Sequence, residues 1–140
     1  MEIGAQFFTV REHCKNLEDF AESLKKVADI GYRNVQISAT CPYPADWLKE
    51  NLEKNCLKCV LTHIPVPRLT GELAQVIADH EVFGCDHIGL GYWSFDPDSE
   101  MTLEKWLATF PPVARTIAQS GKYFMYHNHD GEFRKLNGKL

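Results

Sequence analysis

The chain has 140 residues, of which 44% are hydrophobic and 24% charged, and its formal net charge is −4. That length suffices for one domain with a sizeable core, and the composition is that of an ordinary globular protein rather than a disordered tail. The acidic balance and the lack of a basic face speak against nucleic acid as a partner. No signal peptide or membrane-spanning stretch is visible, so a cytoplasmic protein with no membrane contact is expected.

Residues 3–10 read as a first strand. Residues 16–30 follow as a helix, because Leu17, Phe20, Leu24, Val27, Ala28 and Ile30 recur at helical spacing. Asn16 is placed as its N-cap and Gly31 as its stop. Residues 34–38 form strand two, and Pro44-Ala45-Asp46 opens a second helix that runs to about residue 55. Residues 58–64 are strand three, and residues 70–83 a third helix ended by Gly84. Residues 87–92 are strand four. A fourth helix spans 101–120, with a bend expected near Pro111-Pro112. Gly121 ends it, and residues 122–129 are strand five.

This alternation implies parallel strands joined by helical crossovers. No Gly-x-Gly-x-x-Gly follows strand one, so dinucleotide binding loses its main support. The other large class with this pattern is the (β/α)8 TIM barrel, which needs about 250 residues. Five parallel strands and four helices make a partial barrel. Strand five has no helix after it to cover its face, and residues 134–140 look like a turn leading onward. Residues 1–140 are therefore expected to be the N-terminal portion of one barrel domain in a longer protein. A complete five-stranded open sheet is the alternative.

The five cysteines fall at irregular spacing, as free thiols in a reducing compartment would. Cys56-Leu57-Lys58-Cys59 has zinc-knuckle spacing but no second pair, and a structural metal needs four closed ligands.

In parallel sheets, ligands bind outside the carboxyl ends of the strands. Strand one brings Gln6, Thr9 and Arg11 to that rim. Strand two brings Gln36 and Ser38, strand three His63, and strand four Tyr92 and Trp93. Strand five brings His127 and His129, with Asp130 and Glu132 just beyond. His127 and His129 lie two apart and so share one side of the strand. Histidines, an arginine and aromatics on one rim suit a polar small molecule. Each histidine also has a plain structural use, as a hydrogen-bonded interior residue. His13, His80 and His87 are given no role, and Trp47 and Trp106 are read as packing residues.

Three stretches carry a resemblance: residues 3–11 (Ile-Gly-Ala-Gln-Phe-Phe-Thr-Val-Arg), Ile30-Gly31-Tyr32, and residues 126–133 (Tyr-His-Asn-His-Asp-Gly-Glu-Phe). With them the chain resembles the sugar phosphate isomerase/epimerase family, whose xylose isomerase-like barrel is shared with family 2 apurinic endonucleases. The resemblance implies a sugar or polyol isomerase or epimerase, acting by proton transfer next to a carbonyl. It also implies a divalent metal, manganese or zinc, in the full-length protein. Many metal-binding relatives take their first ligand from a glutamate on strand five, where this chain departs from the pattern with His127; the other ligands, an aspartate, a histidine and a glutamate, come from later strands. On this reading His63, His127 and Glu132 are the catalytic candidates, and Gln6, Arg11, Gln36, Tyr92, Trp93 and His129 bind a sugar or polyol substrate. This chain alone is expected to be inactive, and to self-associate through its open barrel edges. The alternatives are a non-catalytic half-barrel that serves as a binding module, and a hydrolase or lyase on the same scaffold.

Overall fold

The computed structural model describes residues 2–95, 102–133 and 135. One sheet of five parallel strands runs in sequence order: β1 (Gly4–Gln6), β2 (Asn34–Ile37), β3 (Lys58–His63), β4 (His87–Leu90) and β5 (Tyr123–Tyr126). Each strand pairs with the next, so β1 and β5 form the two edges of the sheet. The crossovers are helical: α1 (Leu17–Ile30), α2 (Ala45–Lys54), α3 (Val66–Gly71), α4 (Leu73–Val82) and α5 (Leu103–Gln119). The fold is thus α/β, in the strand order of a partial TIM barrel.

The ends of α1 follow from its sequence. The Asn16 side chain accepts a hydrogen bond from the Asp19 N–H at 2.9 Å, satisfying one of the donors orphaned at a helix start. Gly31 closes the helix at φ 112°, a left-handed backbone that costs an L-residue more than glycine. Inward from α1, Phe20 meets Phe7, Tyr43 and Trp47 at ring-centroid distances of 5.5, 5.8 and 5.3 Å. This is the centre of one core cluster, beneath β2 and β3. The second lies under β4 and β5, where Phe110 of α5 stacks on Phe124 at 5.9 Å.

Two expectations need correction. Strand one stops at Gln6, and Phe7–His13 is a 3-10 segment. There Thr9 Oγ1 donates to the Gln6 carbonyl at 2.7 Å, a local bond that competes with extended pairing. The third helix is two: it begins at Val66, and the chain leaves helical geometry at Glu72, with φ −130° and ψ 25°. Pro67 fits this start because the first turn of a helix has no use for its missing N–H. Pro111 and Pro112 both lie inside the single helix α5. The expected turn at 134–140, and Met101 as a helix start, fall outside the described residues apart from Lys135. Among the described residues no helix is long and apolar enough to cross a membrane.

Candidate active site

Side chains alternate across a strand, so each strand divides its residues between the helical layer and the inner face. On β2 and β3, Val35, Ile37 and Thr62 are buried toward the helical layer, while Gln36, His63 and Ser38, one residue past β2, meet one another on the inner face. Gln36 Nε2 donates to His63 Nε2 at 2.7 Å. That bond makes Nε2 the acceptor, so Nδ1 carries the proton and donates to Ser38 Oγ at 3.0 Å. Both ring nitrogens are engaged, and the ring is neutral. Burial, reinforced by His127 and His129, pushes the His63 pKa down to about 4.

His127 belongs to the exit of β5, two strands from β3. Its ring nevertheless lies 5.1 Å from that of His63, edge to face. The intervening strand makes this approach possible because it is bare on its inner face. A Cβ on Gly91 would stand 2.7 Å from His63 Nδ1 and 2.9 Å from its Cγ; one on Gly89 would stand 2.5 Å from the Thr62 carbonyl oxygen and 3.0 Å from His63 Cδ2. Two glycines two residues apart therefore open a trough across β4 in which the imidazoles meet. His129 continues the row, 4.8 Å from His127 and 5.2 Å from the ring of Tyr92.

These groups line a cavity of about 590 Å³ at the carboxyl ends of the strands, within the usual size range for a small-molecule site. Gln6, Ser38, His63, Tyr92, His127 and His129 supply its polar lining, and Phe8, Ile64, Pro65, Val66, Pro67 and Leu90 much of the apolar part. Gln36 stands behind His63.

Three sequence candidates lie elsewhere. Arg11 is on the 3-10 segment, where its guanidinium donates to the Phe8 carbonyl at 2.8 Å and covers the Phe8 ring at 4.2 Å. Trp93, one residue after Tyr92, takes the opposite face. It is buried against Phe110, and its Nε1 donates to the Thr102 carbonyl. Glu132 does not line the cavity either. Its carboxylate accepts from the Tyr126 hydroxyl and from the His129 N–H, the latter at 2.9 Å. Burial works to raise its pKa, but those hydrogen bonds outweigh it and hold the carboxyl below its ordinary value.

Sequence reasoning missed Gly89, Gly91 and Phe8. The signal for the glycines was Gly-Leu-Gly inside an apolar strand, which marks close approach of a neighbour. Of the zinc-knuckle spacing, Cys56 is exposed and Cys59 buried. Among the described residues no group of three or more His, Cys, Asp or Glu is placed to hold a metal ion. His63 uses both nitrogens on Gln36 and Ser38, which leaves His127 and His129 without a carboxylate in the described lining. The described residues do not make a divalent-metal site by themselves.

No protein-family model matches the chain, and no curated protein matches its sequence. Solved structures do. A sugar phosphate isomerase/epimerase from Parabacteroides distasonis superimposes with a TM-score of 0.76 at 16% identity, over 96% of this chain and 53% of that one. A family 2 AP endonuclease from Brucella melitensis gives 0.67 at 16% identity, over 90% and 55%. A xylose isomerase domain-containing protein from Salmonella typhimurium gives 0.61 at 12%, over 88% and 47%. The chain has the fold of about half a xylose isomerase-like TIM barrel. It spans about half the length of these three structures, and at these identities the likeness is one of fold. In this half-barrel the row of histidines occupies the end of the sheet where TIM-barrel enzymes place their chemistry.

Proposed function

We propose that this half-barrel forms part of a sugar or polyol isomerase or epimerase. The observation that carries the reading is the meeting of His63 and His127 across the glycine trough of β4, inside a cavity at the carboxyl ends of the strands. A neutral imidazole in a polar lining that holds no carboxylate, lysine or arginine suits hydroxyl and carbonyl oxygens. His127 and His129 hold substrate oxygens, and His63, fixed by Gln36 and Ser38, offers the face and edge of a neutral ring. Gln6 and Tyr92 contact the far end of the sugar.

The reaction is removal of a proton from the carbon next to a carbonyl, giving an enediolate. Return of the proton to the opposite face gives an epimer; return to the neighbouring carbon gives an isomer. Glu132 is tied to Tyr126 and the backbone, and neither it nor Asp130 lines the cavity, so we assign the base to a carboxylate outside these 140 residues. Manganese or zinc, which would stabilise the enediolate oxygen charge, would take its remaining ligands from the same source. The open edges at β1 and β5 are proposed to favour self-association, which sedimentation of this chain at increasing concentration reads directly. A persistent monomer would contradict that.

The test of the function compares this chain with a longer protein containing it, on a panel of ketoses, inososes and keto-sugars, with and without manganese. The expected result is turnover by the longer protein and little or none by these 140 residues. Equal turnover by both would place the base within this chain and overturn the assignment.

A further inference from the structure

We infer that Glu132 and Tyr126 form a clamp that positions His129 over the cavity, making Glu132 a positioning residue rather than a proton-transfer group. This rests on the proposed site but is tested without a ligand.

The clamp begins with an alternation at the end of β5. Tyr126 turns toward the helical layer, where its ring packs 5.8 Å from Trp106 and 6.3 Å from Phe95. His127 turns to the inner face. After three more residues the chain enters the 3-10 turn Gly131–Phe133, closed by the Phe133 N–H on the Asp130 carbonyl at 3.1 Å. That turn folds Glu132 back over the strand end. One carboxylate oxygen accepts from the Tyr126 hydroxyl; the other accepts from the His129 N–H. A single side chain thus joins a ring fixed in the outer layer to the backbone that carries the last imidazole of the row.

Two further observations place the turn. A Cβ on Gly131 would come within 3.2 Å of the Ser94 carbonyl oxygen, so the turn lies close against the exit of β4. The His129 ring stands edge-on to Tyr92, which also belongs to that exit. The mutual effects on the two partners agree. Burial and then Glu132 raise the Tyr126 phenol above its ordinary value, and the Tyr126 hydroxyl helps to lower Glu132. A carboxylate with both oxygens on protein donors is poorly placed to take a proton from carbon and well placed to hold a turn.

The test is backbone and imidazole NMR on the 140-residue chain and three variants. In Glu132→Ala the His129 amide should exchange with solvent about tenfold faster, as loss of a charge-assisted hydrogen bond implies, and the contact between the His129 and Tyr92 rings should disappear. Tyr126→Phe keeps the ring in its aromatic cluster and should loosen the same turn. Glu132→Gln keeps an acceptor oxygen and should restore part of the His129 protection. Changes confined to residues 126–133 and Tyr92, with partial rescue by Glu132→Gln, are the expected result. An unchanged His129 amide in Glu132→Ala, or changes spread evenly over β4 and β5, would overturn the clamp. Neither outcome depends on whether the cavity takes a sugar.

Discussion

Two histidines flank β3 on opposite faces, and their difference separates scaffold from site. His80 comes from α4 and reaches the outer face, where it is 1% exposed. Its Nδ1 meets the Val76 carbonyl at 2.7 Å and its Nε2 meets Thr62 Oγ1 at 2.7 Å. His63, the residue after Thr62, turns to the inner face and is half-buried. Both imidazoles are pushed down to about 4, with burial the leading cause. A depressed imidazole therefore does not mark a site. His80 is enclosed by its partners and faces the core. His63 is held just as firmly, but one side of its ring opens on a cavity that also receives His127 and His129.

Phe110 is fully buried between Trp93, Trp106 and Phe124. Phe110→Ala should cost about 3–5 kcal/mol in urea unfolding while leaving the Gln36–His63–Ser38 bonds in place. A loss below about 1 kcal/mol would mean that this layer does not support the sheet.

The acid response comes next. His80 is neutral when folded and titrates near 6.5 when unfolded. Between those values the unfolded chain holds a proton that the folded chain does not, so stability is full above about pH 6.5 and falls as pH drops toward about 4. The loss attributable to His80 is on the order of 3 kcal/mol; His63 adds a smaller, solvent-screened loss of the same sign. His80→Gln should flatten this slope more than His63→Gln does. Equal slopes in the two variants would mean that the two faces are not distinct.

Gly91→Ala is a smaller change aimed at the inner face. Its Cβ would collide with the His63 ring, so the ring must leave Ser38. The expected cost is about 1–3 kcal/mol, with loss of the His63–His127 ring contact in NMR and with the His80 signals unmoved. Smallest in stability is His127→Gln, at about 0.5 kcal/mol or less, because the ring is only half-buried. Its effect should fall on ligand binding alone.

Much of this was legible in the sequence because the period of the apolar residues reports local structure. Phe20, Leu24 and Val27 announce α1, and the strand–helix alternation announces the parallel sheet. Residues 7–10 misled because Phe-Phe-Thr-Val has the composition of a strand, while Thr9 bonds locally and Phe7 is drawn into the core beside Phe20. That error put Arg11 on a strand, whereas it lies on the 3-10 segment, packed over Phe8 and outside the cavity lining. Trp93 was misplaced by one residue of alternation. The histidines were legible as strand-end residues. Their convergence was not, because it depends on what β4 lacks: Gly89 and Gly91 matter through side chains from β3 and β5, remote in sequence. Glu132 was legible as an acid near the rim but not as a clamp, since its partners are set by the turn that follows β5.

The most direct measurement is imidazole-detected NMR of the six histidines while the chain is titrated with D-fructose and, separately, with myo-inositol. The account requires His63, His127 and His129 to shift together along one saturation curve while His80 and His87 stay still. If the three rim histidines do not respond to either compound, or respond no more than His80 and His87, the inner face of this half-barrel is not a sugar or polyol site.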